Sequence, residues 1–236
     1  MEIMKKSYTL RIKNKDYPVV ITKKKIKRII IKLSRIRGVC ISCPNSCSDQ
    51  VALQYLEKNR PWLEKAIRAQ EENDQEMGIS ACLNYQMTYL RGKPYLLEKN
   101  PNLDEVYQIK ENIIFYRDQP KDALEKLRKD YYSDIENEFS LVLQGFNRHI
   151  TQKPFLIIRK MKSRWGSCNF KTGRITINRA LIHVPQKLLH YVMIHEFAHL
   201  LYPNHSLQFR KFLKECLTDY RESEKELKKY AFLLQI

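Results

Sequence analysis

Residues 195–199 read HEFAH, and a third histidine, His205, follows after five further residues. If the segment is helical, His195 and His199 project from one face, so both imidazoles can reach one metal ion. Glu196 lies on the flank of that face, where its carboxylate can hold a water molecule without binding the metal. Three protein ligands, an open position and a nearby carboxylate are typical of a catalytic zinc site.

The surrounding sequence favours a helix that contains this motif. Residues 186–202 carry apolar side chains at helical spacing, and Pro185 suits the first turn. Pro203 and Asn204 then end the helix and let the chain turn back toward the metal. The bare motif occurs by chance in roughly 1 chain in 100 of this length. Here, however, the imidazoles and the carboxylate lie in an apolar helix, where they are costly to bury unless a metal satisfies them.

Zinc is the metal that we expect, with one ion per chain. Neutral imidazoles suit zinc and leave its charge intact, which lowers the pKa of a coordinated water from ~15.7 to roughly 7. Glu196 would take the proton of that water and pass it to the leaving group. Nickel, iron or manganese can also occupy a site of three nitrogens. His183 and His190 fall outside the metal spacing, and we interpret them as hydrogen-bonded polar residues.

A second set of residues surrounds the motif. It comprises Arg164-Trp165-Gly166-Ser167-Cys168, Gly173, Ile175, Asn178, Leu181, Pro185, Tyr191-Val192 and Pro203-Asn204-His205-Ser206. With HEFAH, this set resembles the YgjP-like zinc metallopeptidases and, more distantly, SprT-like proteases; it is dense over residues 160–212. The resemblance implies a zinc hydrolase fold with the three histidines as ligands and Glu196 as base. The spacing is also similar to that of metzincins, but Tyr202 stands where their glycine would be.

Arg164 is the candidate for stabilising charge on the attacked oxygen, since the resemblance places its segment beside the metal helix. Its guanidinium is planar and always charged. A structural ion pair is the equally weighted alternative for this residue. Gly166 is expected to let the backbone approach the site. Ser167 and Cys168 are not expected to act as nucleophiles, because water activated by a metal makes one unnecessary.

Length and composition predict a globular α+β protein. The 236 residues suffice for one large domain or two small ones, and the hydrophobic content of 43% is ordinary. We expect a β-rich, antiparallel N-terminal part, residues 1–118, with one helix at about 48–70. Residues 119–236 are expected to form a zincin-like domain with the H-E-x-x-H helix and a small sheet. The polar run at 71–76 is interpreted as a connector.

Periodicity predicts the individual elements. Strands are expected at residues 7–14, 18–23, 26–33, 39–43, 84–96, 105–117, 155–160 and 174–178. The first four should form a small antiparallel sheet whose outer face carries lysines. One long helix at about 120–147 has an apolar stripe that can pack against the metal helix. Two helices, from Ser206 to about Leu217 and from Arg221 to Leu234, follow the third histidine.

The sequence indicates a cytoplasmic protein with free thiols. The first residues lack the apolar core of a signal peptide, and no run of 18 apolar residues occurs, which argues against secretion and membrane spanning. The six cysteines are then expected to be reduced. Cys40, Cys43 and Cys47 form C-x2-C-x3-C, but a fourth nearby thiolate is missing, so we expect them to bind no metal.

Three functions remain open at this stage. The first is a zinc metallopeptidase acting on polypeptides. The second keeps the metal but hydrolyses a phosphoanhydride such as a nucleoside triphosphate, and it is favoured by Lys162, Arg164, Arg174 and Arg179. The third is a nucleic-acid-binding module with a structural metal, against which Glu196 and the missing fourth ligand weigh. The SprT resemblance permits a blend of the first and third, a protease recruited to DNA.

The charge distribution suggests a polyanionic partner. The formal net charge is +17, and in residues 1–37 Lys and Arg outnumber Asp and Glu by thirteen to two. Such a balance favours DNA or RNA, phosphorylated molecules or an acidic membrane surface. A solvated basic sheet without a specific ligand is equally compatible with it, because charge alone carries no specificity.

We predict that the intact chain binds DNA or heparin through residues 1–37. The affinity should fall by about tenfold or more between roughly 50 and 200 mM salt, because neutralising phosphates releases condensed counterions. Fluorescence anisotropy of a labelled duplex at the two salt concentrations measures the change. Binding that does not depend on salt, or no binding at low salt, would contradict the prediction.

Overall fold

The computed structural model describes residues 7–35, 37–146, 150 and 152–235. The chain divides into two compact units, of which the first ends at Met77 and the second begins at Gly78. The predicted α+β class is confirmed, with a β-rich N-terminal part followed by helices and a small sheet. Within the described ranges, no helix combines the length and apolarity that a membrane span requires.

The first unit is a four-stranded sheet with two helices. Its elements are β1 (Ser7–Ile12), β2 (Lys15–Lys24), β3 (Ile30–Ser34), β4 (Gly38–Pro44), α1 (Asp49–Lys58) and α2 (Arg60–Glu76). The strand order is β1-β2-β4-β3, with two antiparallel hairpins. The inner strands β2 and β4 run parallel, so the prediction of a wholly antiparallel sheet was wrong. Alternating hydrophobicity predicts a strand but does not say which strands become neighbours.

Alternate residues of β4 form the core of this unit together with the apolar faces of both helices. The core includes Val39, Ile41, Cys43, Ala52, Leu56, Leu63 and Ile67. Cys43 is fully buried, whereas Cys40 lies on the other face of the strand, as its spacing predicts. Ser48 caps α1 by accepting a hydrogen bond from the Val51 N–H at 3.2 Å.

The polar run at 71–76 is helical and not the connector that we predicted. It forms the last turns of α2, and its acidic side chains face basic residues of the sheet. Glu71 accepts a hydrogen bond from Lys15 at 2.7 Å, and Asp74 accepts one from Arg35 at 2.7 Å. The run is polar because it pairs with basic groups near the surface, and this long-range pairing cannot be read from local composition.

The second unit holds all the predicted metal ligands. Its elements are α3 (Ile79–Leu83), β5 (Met87–Leu90), β6 (Lys93–Lys99), β7 (Tyr107–Lys110), β8 (Ile113–Tyr116), α4 (Pro120–Asp130), α5 (Tyr132–Phe146), β9 (Phe155–Arg159), β10 (Gly166–Asn169), β11 (Arg174–Asn178), a 3-10 helix (Arg179–His183), α6 (Gln186–Leu201), α7 (Leu207–Cys216), α8 (Tyr220–Lys229) and a second 3-10 helix (Tyr230–Gln235). Two sheets form, ordered β5-β6-β8-β7 and β10-β11-β9, so β10 is an edge strand.

The turn between β5 and β6 joins the first of these sheets to the segment before α6. The Arg91 N–H donates to the Ile182 carbonyl at 2.8 Å, and the Gly92 N–H donates to the His183 carbonyl at 3.1 Å. Gly92 has a φ of +78°, and a Cβ there would lie 2.5 Å from Cγ of Pro185. Through these contacts the sheet β5–β8 belongs to the second unit, which begins at Gly78. The predicted boundary lay after residue 118, on the other side of this sheet.

The helix predicted at about 120–147 is two helices, α4 and α5, which meet at Tyr131. At this junction Arg91 makes two hydrogen bonds of 2.7 Å with the Asp134 carboxylate, and its guanidinium lies 5.1 Å from the Tyr131 ring centre. The break therefore coincides with contacts from a distant hairpin, which a local apolar stripe does not reveal. Residue 147 lies outside the described residues.

The apolar stripe of α5 packs against α6, as predicted. The rings of Phe139 and Phe146 lie 5.2 and 5.3 Å from that of Phe197, which occupies the middle of the HEFAH motif. At the other end of the interface, the buried Glu138 accepts a hydrogen bond from His190 Nδ1 at 2.5 Å. His190 is thus a hydrogen-bonded polar residue, which agrees with its interpretation from the sequence.

His183 is buried as a neutral ring in the second unit. Its Nδ1 bonds the Tyr89 carbonyl, and its Nε2 accepts a hydrogen bond from Arg128 Nε at 3.0 Å. Burial, with the Arg128 charge as the next cause, lowers the pKa of His183 to about 3. Arg128 in turn binds Glu125 at 2.9 Å, so the cluster satisfies its own polar groups.

This burial predicts a loss of stability in acid. The folded-state pKa of His183 lies below its unfolded value of about 6.5, so below that pH the unfolded chain binds a proton that the folded chain does not. The free energy of unfolding should therefore fall as the pH drops from 6.5 toward 3, by up to about 1.4 kcal/mol per pH unit from this group.

Urea denaturation of the wild type and of His183→Gln at several pH values between 7.5 and 4.5 isolates this contribution. The variant should be less stable at pH 7.5, but its stability should fall less steeply on acidification, because one titrating group is gone. Parallel pH dependences in the two proteins would contradict the prediction. The metal-site histidines are common to both proteins, so their titration cancels in the comparison.

Candidate metal centre and cleft

The three predicted histidines converge. Each offers a ring nitrogen, and these nitrogens all lie within 4.8 Å of one another. The Nε2 atoms of His195 and His205 are 3.1 Å apart. Zinc–nitrogen distances of about 2.0–2.1 Å in tetrahedral geometry place two ligand nitrogens about 3.3 Å apart. The donor set therefore fits a zinc ion in both chemistry and spacing.

Local structure explains how the third imidazole reaches the other two. His195 and His199 lie one turn apart on α6, which ends at Leu201. Tyr202 then adopts an extended conformation, with φ of −129°, and the chain turns back before α7. Because the residue that ends the helix is not left-handed, a glycine is not required at this position.

Two further groups hold the imidazoles in place. His199 Nδ1 bonds the Tyr202 carbonyl at 3.1 Å, which leaves its Nε2 free to face the other rings. The Phe209 ring is stacked on His199, with centres 4.6 Å apart and planes at 25°, and it contacts His195 and His205 at 5.1 and 4.9 Å. Phe209 is 1% exposed, so it forms an apolar support behind all three rings.

This role of Phe209 was not predicted from the sequence. The available signal was an aromatic residue one turn after the third histidine, in a helix capped by Ser206. The Ser206 hydroxyl accepts a hydrogen bond from the Phe209 N–H at 3.3 Å, which fixes the start of α7 directly beneath the metal site.

The environment of His195 and His199 favours the neutral imidazole, which is the form that binds a metal. Burial and the two neighbouring imidazoles lower the pKa of His195 to about 4. Burial also lowers the pKa of His199, while its bond to the Tyr202 carbonyl acts in the opposite direction. A cation can therefore bind these two imidazoles without first displacing a proton at neutral pH.

Glu196 is buried beside the three imidazoles and lies against the backbone of β10. It is 6% exposed, and burial raises the pKa of its carboxyl to about 8, while the Arg164 charge acts in the opposite direction. A Cβ on Gly166 would lie 2.5 Å from Glu196 Oε1 and 2.6 Å from its Cγ. Only glycine at position 166 leaves room for this carboxylate, so the expected close approach of the backbone is present.

Asn178 positions the loop that carries Arg164. Its side-chain amide donates to the carbonyls of Met161 and Arg164 at 2.7 and 3.0 Å, and its Oδ1 accepts from the Ala180 N–H at 3.1 Å. The Arg164 side chain lines the cleft beside Glu196. Across the described ranges, no carboxylate lies within 4.0 Å of its guanidinium.

The metal site lies in an open cleft. A cavity of about 890 Å³ is lined by Arg164, Trp165, Gly166, Tyr191, Val192, His195, Glu196, His205, Phe209, Arg210, Leu213, Tyr220, Arg221, Glu224 and Leu227. A second cavity of about 340 Å³ shares part of this lining and continues along Ser167, Cys168, Phe170, His199 and Pro203. The cleft thus passes from α7 and α8, across the imidazoles, to the edge strand β10.

The other residues singled out in the sequence lie in different environments. Burial and the nearby Glu196 raise the pKa of the Cys168 thiol to about 12, which agrees with its exclusion as a nucleophile. Arg179 binds Glu125 through two hydrogen bonds of 2.6 and 2.8 Å, away from the cleft. Lys162 and Arg174 line neither cavity. Of the four basic residues before the metal helix, Arg164 alone faces the site.

Comparison with known protein families identifies the class to which the chain belongs. The family model of the YgjP-like metallopeptidase domain matches residues 27–230, and the chain belongs to that family. This confirms the resemblance seen in the sequence and supports a hydrolase whose family implies a metal ion.

Two solved structures show a partial likeness to the chain. The metallopeptidase zymogen jannalysin of Methanocaldococcus jannaschii is 25% identical, with a TM-score of 0.37, and the match covers 41% of this chain and 95% of jannalysin. The metallopeptidase zymogen abylysin of Pyrococcus abyssi is 24% identical, with a TM-score of 0.35, and the match covers 39% of this chain and 90% of abylysin. No curated protein matches the chain.

The contact between Gly166 and Glu196 generates a prediction. In Gly166→Ala the added methyl group would force the carboxylate out of its position, so hydrolysis should fall by roughly 100-fold, as expected for a catalytic group displaced by about 1 Å. Bound zinc should stay at the wild-type level, because the three atoms nearest to this methyl group all belong to Glu196 and not to the imidazoles. Metal analysis and turnover of the same preparation measure both effects.

Gly145→Ala is the matched control. Gly145 lies in α5, and a Cβ there meets no atom within 4 Å, so the variant should keep full activity and gain up to about 1 kcal/mol of stability. Full activity of Gly166→Ala would show that Glu196 does not depend on this contact.

Proposed function

We propose that this chain is a zinc-dependent metallopeptidase in which His195, His199 and His205 hold the metal and Glu196 is the general base. The observation that supports this most strongly is the convergence of three imidazoles beside one buried carboxylate, in a cleft open to a substrate. The donor set has no fourth side chain among the described residues, and catalytic zinc sites leave that position to water or substrate.

Zinc in this site would supply Lewis-acid chemistry, lowering the pKa of a coordinated water to roughly 7. Glu196 is placed to accept the proton of that water and to return it to the leaving amine. A dication held by the adjacent imidazoles favours the ionised carboxylate that a base requires, against the effect of burial. Gly166 allows the carboxylate to take this position, because a residue with a Cβ would collide with it.

Arg164 is proposed to stabilise negative charge on the oxygen of the attacked carbonyl. It lines both cavities, as do His195, Glu196 and His205. Its guanidinium carries a permanent charge that no carboxylate of the described chain neutralises within 4.0 Å. A preorganised donor of this kind acts on charge that develops in the transition state.

The edge strand β10 supports a polypeptide substrate. Residues 166–168 line the cleft, and β10 pairs with β11 on one side only within its sheet. An extended peptide can add to such an edge through main-chain hydrogen bonds, with its scissile bond near the metal. A phosphoanhydride substrate makes no use of a free strand edge.

Hydrolysis of a nucleoside triphosphate is the second candidate. It is favoured by the arginines of the cleft, Arg164, Arg210 and Arg221, since guanidinium groups bind phosphates bidentately. Incubation of the zinc-loaded protein with unfolded protein and, separately, with nucleoside triphosphates discriminates the two functions. Recruitment to DNA through residues 1–37 is an independent proposal, tested by adding DNA to the same assays.

Two variants separate the metal site from its chemistry. In His205→Ala the zinc content should fall well below one ion per chain, and added zinc should no longer raise the melting temperature, because metal binding ties the segment before α7 to α6. In Glu196→Gln the zinc content and melting temperature should stay near wild type, while hydrolysis falls by roughly 100-fold or more.

Metal analysis, thermal melts and turnover on an unfolded protein substrate provide the readouts. A Glu196→Gln variant with full turnover would overturn the mechanism. Loss of zinc in that variant would make Glu196 a ligand instead of a base. Other metals can be compared by reconstituting the apoprotein with nickel, iron or manganese.

A further inference from the structure

We infer that the part of the cleft between α7 and α8 binds a carboxylate of the polypeptide substrate through Arg210 and Arg221. The carboxylate belongs either to an acidic side chain or to a free C-terminus. This inference rests on the proposed peptidase function and specifies which substrates it would favour.

The two arginines reach the cleft from different helices. Arg210 directly follows Phe209 in α7, so the helix that supports the imidazoles also places a guanidinium on the wall of the same cavity. Arg221 lies in the first turn of α8 and lines the same cavity. Two guanidinium groups therefore share one cavity with the imidazole of His195 and the carboxylate of Glu196.

The two arginines are not in salt bridges of the described chain, although the pKa of Arg221 is raised by the bond to Tyr220 and, less strongly, by the charges of Glu222 and Glu224. In the described part of the chain, neither guanidinium has a carboxylate within 4.0 Å; Arg221 Nε donates instead to the Tyr220 hydroxyl at 3.3 Å. The cavity is lined by two carboxylates, of which Glu196 is the proposed base. The other, Glu224, already binds Lys228 Nζ at 3.1 Å. Both guanidinium groups thus remain able to pair with a carboxylate of a ligand.

Other arginines of the same unit show the contrast. Arg128 and Arg179 are mostly buried and share the carboxylate of Glu125. Arg91 binds the carboxylate of Asp134. These arginines have structural partners supplied by the fold, whereas the pair on the cleft wall has none within the described ranges.

Apolar side chains line the cavity together with the arginines. They include Val192, Leu213 and Leu227. An ion pair formed beside apolar side chains is screened less than one in open water. These side chains therefore strengthen the attraction between the guanidinium groups and an anionic ligand group. The planar fork of a guanidinium matches the two oxygens of a carboxylate.

The cleavage specificity of the zinc-loaded protein tests this inference. A degenerate peptide library, read by mass spectrometry, first gives the preferred residues on both sides of the scissile bond. Peptides that differ only by Glu, Gln or Lys at the selected position then give kcat/KM values, and free or amidated C-termini distinguish the two sources of the carboxylate. We expect a preference of about tenfold for the carboxylate over its neutral amide, the size of one charge-assisted hydrogen bond at a partly exposed site.

Charge reversal identifies the residues responsible. The double variant Arg210→Glu, Arg221→Glu should prefer Lys over Glu at the selected position, while its zinc content and melting temperature stay at wild-type values. Lys211→Glu is the matched control, because Lys211 is an exposed neighbour on α7 that does not line the cavity. Its preference should not change.

Binding provides a second readout that does not depend on turnover. In the Glu196→Gln background, a fluorescent peptide with the preferred carboxylate should bind about tenfold more tightly than its amide analogue, and the double charge reversal should remove the difference. Anisotropy titrations measure both affinities.

The possible outcomes separate the inference from the proposed function. Peptides cleaved without a carboxylate preference, or a preference that survives the charge reversal, would overturn the inference and leave the peptidase function intact. If no peptide is cleaved while nucleoside triphosphates are hydrolysed, both fail, and the arginines bind phosphate. If nothing is hydrolysed, the proposed function fails, and the inference fails with it.

Discussion

The second unit depends on one constraint, which is that α6 carries ring nitrogens and a carboxylate in a helix that is otherwise buried. Leu188, Val192 and Phe197 are almost completely covered, so the polar groups between them must be satisfied within the protein or by a bound ion. The neighbouring elements meet this need. α5 packs on one side of α6, β10 lies against Glu196, and the start of α7 returns the third imidazole to the first two.

Two close contacts convert this arrangement into a defined site. Phe209 stacks behind the imidazoles, so their orientation follows from the packing of α7. Gly166 leaves room for the Glu196 carboxylate against the backbone of an edge strand. Because interiors are densely packed, a single methyl group at either place is enough to alter the geometry. The positions of the reactive groups are thus set by residues that do no chemistry themselves.

Positive charge is distributed according to whether the fold supplies a partner. Arg128 and Arg179 share Glu125, and Arg128 also donates a hydrogen bond to the neutral His183. Arg164 and the two arginines of α7 and α8 face the cleft without a carboxylate of the described chain within ion-pair distance. A cationic cleft around a metal-ligand set favours substrates with negative charge, whatever the chemistry of the bond that is broken. The strand edge beside it favours a polypeptide.

The sequence by itself predicted the fold class and the residues of the proposed site. The pairing of His195 with His199 follows from helical geometry, because residues four apart on a helix must share a face. The third histidine was predicted from the Pro203-Asn204 stop after the helix, which lets the chain turn back. The fold class and most strands and helices followed from periodicity in the same way. Tertiary structure decided which strands pair, why β2 and β4 run parallel and where the two units divide. It also decided that Phe209 lies behind the imidazoles and that Arg179 is turned away from them. These facts depend on contacts between residues far apart in the chain, and local spacing carries no information about them.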